Sequence, residues 1–247
     1  MEKVVVLHPF KTKFLADFIL TPSLFPFTDK EVMKFDHELL HYEQVFLNPE
    51  IAKNLISRNE LLASFAISKA ENSQLTLAEA KEVYTLVLSD PNYNFIAKKL
   101  KTKNKLTQKD HDRLEFFNIA RTFRRLNQSI FTLESLTPEF ILKIHQDLTL
   151  GLDLFKGHLD GFTVYKSGRF RDNDLIRVGS YVPAPFLEIP IGVNELISLV
   201  KKSPRVSTAA IFHTGLYALH PFNNGNKRVG RILEHLLFRA LGLNRKN

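Results

Sequence analysis

Apolar residues recur at three- and four-residue intervals over most of this chain, a spacing that predicts amphipathic helices almost throughout. The helix starts are marked by polar residues. Thr28-Asp-Lys-Glu31 and Thr76-Leu-Ala-Glu79 have the spacing of capping boxes, in which hydroxyl and carboxylate satisfy each other's orphan amides. Asn48-Pro49 and Thr137-Pro138 place an N-cap before a proline whose missing N–H costs nothing at the first helical position. After Thr137, the residues Phe140, Ile141, Ile144 and Leu148 form one apolar stripe, and Gly151 can close that helix in a left-handed conformation. Further helices are predicted over 189–202 and 206–219, and a last one from about Asn226 to Leu241.

One stretch breaks the pattern. From Gly157 to Pro190, glycines and prolines separate short extended pieces such as Phe162-Thr-Val-Tyr165 and Leu175-Ile-Arg-Val178, which predicts a long loop carrying a small hairpin. Loops of that length inside a domain are usually functional.

Composition narrows the setting. The 247 residues are 44% hydrophobic, enough to fill a core, and contain no cysteine, which excludes disulfides and zinc–thiolate sites. The apolar run Val4-Val5-Val6-Leu7 is too short for a signal peptide, no later run spans a bilayer, and a cytoplasmic location is expected. The formal charge is +8, but the Lys and Arg residues are dispersed, so the surface reads as solvated rather than as a DNA-binding stripe, and nucleic acid is not an expected partner. Basic residues do gather at 169–177 and from Arg228 onward, where an anionic ligand would give them a use.

That second cluster opens the last helix, after the loop His220-Pro-Phe-Asn-Asn-Gly-Asn-Lys-Arg228. A helix N-terminus presents unpaired amides and a positive dipole end to an anion, and Gly225 lets the backbone approach it closely. Lys227, Arg228 and Arg231 lie where cations oppose the helix dipole, and an anion bound in the same loop explains them. Taken alone, His220 reads as a cap and Phe222 as core; together with this turn, His220 can serve as general base beside a bound phosphate.

The segment resembles the signature of the Fic (Fido) family, His-x-Phe-x-Asp/Glu-Gly-Asn-Gly/Lys-Arg-x-x-Arg, and His220, Phe222, Gly225, Asn226, Lys227, Arg228 and Arg231 meet it. Upstream, Gly168-Arg-Phe-Arg171 and the segment 178–185 resemble the family's Gly-x-Phe/Tyr-Arg element and its target-docking flap. The resemblance implies a mainly α fold: a Fic/Fido helical core at 105–247 with a small β-hairpin flap, and an N-terminal helical extension at 1–104. It also implies transfer of AMP from ATP, with Mg²⁺, to a Ser, Thr or Tyr hydroxyl of a target protein docked at the 175–186 flap. In that reading His220 deprotonates the hydroxyl, Phe222 fixes the loop, Gly225, Asn226 and Arg228 hold phosphates, and Arg231 binds the terminal one.

Two positions depart from the adenylylating pattern. Asn224 replaces the acid expected at the metal, and an amide oxygen is a weaker Mg²⁺ ligand than a carboxylate. A slowed enzyme, an enzyme moving another group, and a nucleotide-binding pseudoenzyme all remain open. Lys227 resembles the Doc subgroup, which moves a terminal phosphoryl group, and reads equally as a solvent-facing lysine. In the extension, Ile67-Ser-Lys-Ala-Glu71-Asn72 resembles the family's inhibitory helix, Ser/Thr-x-x-x-Glu-Gly/Asn, with Ile67 in place of the hydroxyl. The resemblance implies that Glu71 pairs with Arg231 and blocks the terminal phosphate; a family relative also removes AMP, so the reverse reaction stays open. The sequence leaves the oligomeric state open, a homo-oligomer included.

Overall fold

Threonine caps open several helices of this computed structural model, and it describes residues 10–16, 28–46, 49–94 and 105–243. In order these form α1 (Lys13–Ala16), α2 (Asp29–Phe46), α3 (Pro49–Lys69), α4 (Leu77–Ser89), α5 (Gln108–Gln128), α6 (Pro138–Thr149), α7 (Ile189–Lys202), α8 (Val206–Leu219) and α9 (Asn226–Ala240). Both predicted capping boxes are made. Thr28 N–H donates to Glu31 at 2.7 Å and Thr76 N–H to Glu79 at 2.9 Å, and each threonine hydroxyl accepts the return bond. Thr137 caps α6 through the Phe140 amide, and Gly151 follows at φ 76°. The Asn48 cap lies outside the described residues, as does the 104/105 boundary.

The principal core lies among α5 to α9, where Phe123, Ile144, Leu196, Phe212, Leu216, Val229 and Leu233 are buried together. Gly215 brings α7 and α8 close, because a Cβ there would stand 2.6 Å from Leu196 Cδ2. A second cluster unites Val83, Tyr84 and Val87 of α4 with Phe116, Phe117 and Ala120 of α5. Helix α5 is therefore covered on two sides, by the extension and by the core. Buried Glu60 of α3 fastens the same seam, accepting from Tyr84 Oη at 2.7 Å, Arg124 Nη1 at 2.9 Å and Asn127 Nδ2 at 3.3 Å. A buried carboxylate persists only when its oxygens are satisfied in this way.

The described residues contain no strand. The expected hairpin flap is reduced to one antiparallel bridge, Val178 to Tyr181, closing a two-residue turn with Gly179 at φ 60°. Its flanks make no further ladder because Leu175, Val178 and Val182 are exposed, with no apolar face to bury. Tyr181 Oη anchors the turn to Ala218 O at 2.9 Å. No described helix is long and apolar enough to cross a membrane.

Candidate active site

Helix α8 ends at His220, which adopts φ 48° and donates its N–H to Leu216 O at 3.1 Å. The left-handed region costs a residue with a Cβ roughly 1–2 kcal/mol, so the conformation needs support. Buried Arg171 provides it. Its Nε donates to His220 O at 2.8 Å, its Nη2 to Leu219 O at 3.3 Å and to Ala184 O, and its backbone N–H to Pro221 O at 2.8 Å. The guanidinium thus caps the negative end of α8 and pins the loop that leaves it.

The next turn is built on an aromatic stack. Phe222 is fully buried and lies against His145 of α6, with ring centroids 3.9 Å apart and planes 5° from parallel. His145 Nδ1 accepts the Gly168 N–H at 3.0 Å, which assigns the ring proton to Nε2, and that proton is donated to Asn224 O at 3.0 Å. Burial, opposed by the Asn224 bond and aided by the charge of Arg228, lowers the His145 pKa to about 4. The ring is a neutral strut joining α6, the Gly168 turn and the motif loop. Gly225, at φ 86°, is left-handed and closely packed, since a Cβ would crowd His145 Cδ2 at 3.3 Å.

Asn226 is expected to hold phosphate, but its side chain shapes the loop: Nδ2 donates to Phe222 O at 2.8 Å and Oδ1 accepts the Phe222 N–H at 2.9 Å. What faces an anion is the first turn of α9, whose leading amides have no intrahelical acceptor. Half-buried His220 opens the loop that leads into this turn. Burial first, then the charges of Arg171 and Lys227, lower its pKa to about 4, and its ring makes no hydrogen bond among the described residues. It is a neutral imidazole with a lone pair available.

Helix α9 divides the motif cations between two faces. Lys227 and Arg231 are exposed, while Arg228 shares the inward face with Val229, Ile232 and Leu233 and is 1% exposed. Arg228 Nη1 meets Glu115 of α5 at 2.7 Å, Nη2 meets Asn224 Oδ1 at 3.0 Å, and the guanidinium lies 5.2 Å over the Tyr165 ring. Burial works against its charge, but Glu115, Tyr165 and Glu71 outweigh it and raise its pKa. Burial raises the Glu115 carboxyl in turn, against the pull of Arg228.

Glu71 arrives on the turn after α3. Asn72 takes φ 64° and closes that helix, with its N–H on Lys69 O, which gives the Gly/Asn alternative of the pattern a physical reason: it is the left-handed C-cap. Glu71 Oε2 then lies 3.8 Å from Arg228 Nη2, and Lys227 Nζ reaches Ala70 O at 3.5 Å. The expected partner, Arg231, is not the one found. The turn after α3 meets α9 at Lys227 and Arg228, and Arg231, a turn farther along the exposed face, makes no ion pair with it among the described residues. Ile67, where the pattern has a hydroxyl, is buried in the main core instead.

A cavity of about 230 Å³ opens beside these groups, lined among others by Glu71, Glu115, His111, Tyr165, Asn224 and Arg228. The Mg²⁺ role implied for Asn224 does not fit its surroundings. Its side-chain oxygen already accepts the Gly225 N–H at 2.8 Å and an Arg228 N–H, and a guanidinium at that oxygen repels a metal ion. The described residues hold no cluster of three or more His, Asp or Glu side chains able to bind a metal.

The motif spacing points neither to Glu115 and His145 nor to Arg171 as a support of the loop. A signal for Glu115 was present: His111, Glu115, Asn118 and Thr122 fall at one helical face between buried aromatics, and all four are buried. No comparable signal marks His145, whose stacking partner is far along the chain.

The model of the Fic/DOC family matches residues 135–238. A probable protein adenylyltransferase of Aquifex aeolicus (strain VF5) is 26% identical over 136 residues, covering 53% of this chain and 39% of that protein, so the chain spans well under half of that relative. Among solved structures, a Fic family protein from Desulfovibrio desulfuricans G20 superposes with a TM-score of 0.56 at 20% identity, over 90% of this chain and 58% of that one. A Fic-domain signalling protein from Bacteroides thetaiotaomicron VPI-5482 gives 0.59 at 18% identity, over 87% and 74%. At these identities the superpositions establish a shared fold.

Proposed function

From the match of the Fic/DOC family model to residues 135–238, we propose that this chain is a Fic-family protein adenylyltransferase held in an inhibited state. The observation that carries this reading is a neutral His220 at the end of α8, held by Arg171 and lowered in pKa in part by the charge of Lys227, together with an α9 N-terminus that no side chain caps. The relative in Aquifex aeolicus is named as a probable protein adenylyltransferase, which supports the same reaction class here.

In this reading the nucleotide phosphates lie on the α9 N-terminus, with Arg231 and Lys227 at its exposed side. A target hydroxyl docks between the Val178–Tyr181 turn and His220. His220 takes the hydroxyl proton as the oxygen attacks the α-phosphorus; the new O–P bond forms, the α–β bridging P–O bond breaks, and pyrophosphate leaves. Positioning and charge neutralisation carry such transfers, and the pinned carbonyls around Arg171 keep His220 in place. No step is assigned to Mg²⁺, because Asn224 is engaged by Arg228. Glu71 inhibits by occupying the guanidinium that a phosphate needs.

A second reading is a nucleotide-binding pseudoenzyme, favoured by the burial of Arg228 and the absence of an acid at 224. ATP labelled separately at the α and γ phosphates decides among the readings, using wild type and Glu71→Gly with a mixture of candidate targets. Label from the α position on protein supports adenylylation. Label from the γ position only replaces it with Doc-like phosphoryl transfer, and saturable ATP binding with neither label leaves the pseudoenzyme. Release of AMP from a pre-modified target would identify the reverse reaction.

A further inference from the structure

Arg228 is the most buried charge at the site, and the protein holds it unequally. Glu115, 3% exposed on a helix clamped on two sides, grips Nη1 at 2.7 Å. Glu71 stands 3.8 Å from Nη2, on a turn at the mouth of the cavity, with its Oε1 buried and unpartnered. Arg228 Nε has no hydrogen-bond partner among the described residues, and Nη2 hydrogen-bonds a neutral amide oxygen at 3.0 Å, with the Glu71 carboxylate farther away at 3.8 Å. A guanidinium with one nitrogen fixed and two incompletely paired is prepared to receive a second anion through a pair of parallel N–H groups.

We propose that Glu115 is a positioning residue: it holds the Arg228 guanidinium by one nitrogen so that the remaining donors face the cavity, where a nucleotide phosphate replaces Glu71. The inference rests on the nucleotide reading above and adds that the two carboxylates have opposite effects. Glu71 competes with the phosphate. Glu115 cooperates with it, because it cannot leave: α3 and α4 pack on one side of α5, the core helices pack on the other, and removing Glu115 would strand a buried cation. Tyr165 and His111 complete the support. Tyr165 Oη lies 2.9 Å from His111 Nε2, which keeps the ring beneath the guanidinium.

The test is a double-mutant cycle read as ATP affinity by titration calorimetry, in the Glu71→Gly background. Glu115→Gln should weaken ATP binding about tenfold or more, Glu115→Asp should recover part of the loss, and Glu115→Gln should have little further effect once Arg228 is already Lys. Circular dichroism on each variant confirms that it is folded before its affinity is used, and Glu115→Asp carries the comparison if Glu115→Gln does not fold. Tighter ATP binding on loss of Glu115 would make it a second competitor and overturn the proposal. Equal effects of the Glu115 change with and without Arg228 would do the same, reducing Glu115 to a stability residue. If Glu71→Gly binds no ATP while folded, the nucleotide reading fails and this inference with it; ATP binding indifferent to Glu115 overturns this inference alone.

Discussion

Glu71→Gly separates the inhibitory contact from the fold. At 3.8 Å the bare attraction between Glu71 and Arg228 is about 4 kcal/mol at an effective dielectric near 20. Desolvation opposes it, since the carboxylate is 15% exposed and its second oxygen is buried without a partner, a defect that itself costs ~1–3 kcal/mol. The net hold on Arg228 is then about 1 kcal/mol, the range of loosely paired ions. Position 71 lies beyond the last residue of α3, so glycine there avoids the helix-interior penalty. The variant should melt within about 4 °C of wild type, and its ATP affinity should rise about fivefold, the equivalent of 1 kcal/mol. Calorimetric titration measures the second quantity and scanning calorimetry the first. A folded variant with unchanged ATP affinity would refute the competition argument. A melting loss well above 4 °C would show that Glu71 is structural.

His220→Ala should cut transfer by about 10²–10⁴-fold while ATP affinity stays within about twofold, measured by label incorporation and titration, because a base acts on the transition state. Asn224→Asp keeps both acceptor bonds, so Arg228 still engages the oxygen at that position; in the Glu71→Gly background the Mg²⁺ dependence of transfer should stay unchanged, and a lower Mg²⁺ requirement in the variant would refute the assignment of Asn224 to Arg228 rather than to a metal. His145, His220 and His235 are each lowered from 6.5 to about 4, chiefly by burial, so they stay neutral when folded. The unfolded chain binds their protons first, so their contribution is intact above pH 6.5 and is lost as pH falls through the window down to about 4. Urea midpoints should fall across that window, with a smaller fall in His235→Gln, and a flat profile would contradict the burial assigned to these rings.

The helices and the loop are local matters, and the sequence determined them. The predicted spans 189–202 and 206–219 coincide with α7 and α8, and the last helix starts at Asn226 as expected, because prolines, caps and the left-handed His220 and Gly225 act within a few residues of the positions they define. The motif order was legible for the same reason. Tertiary structure alone decided who meets whom. Whether Glu71 faces Arg228 or Arg231 depends on which side of α9 the end of α3 approaches, a matter of helix crossing rather than of spacing along the chain. The inward turn of Arg228 toward Glu115 needs α5 and α9 brought together across more than a hundred residues. Asn226 could hold either an anion or its own loop, and the return of the Phe222 backbone toward it settles the choice. The flap's reduction to a single bridge follows from the same cause: strand length is set by what a segment can pair with and bury, and its neighbours offer neither.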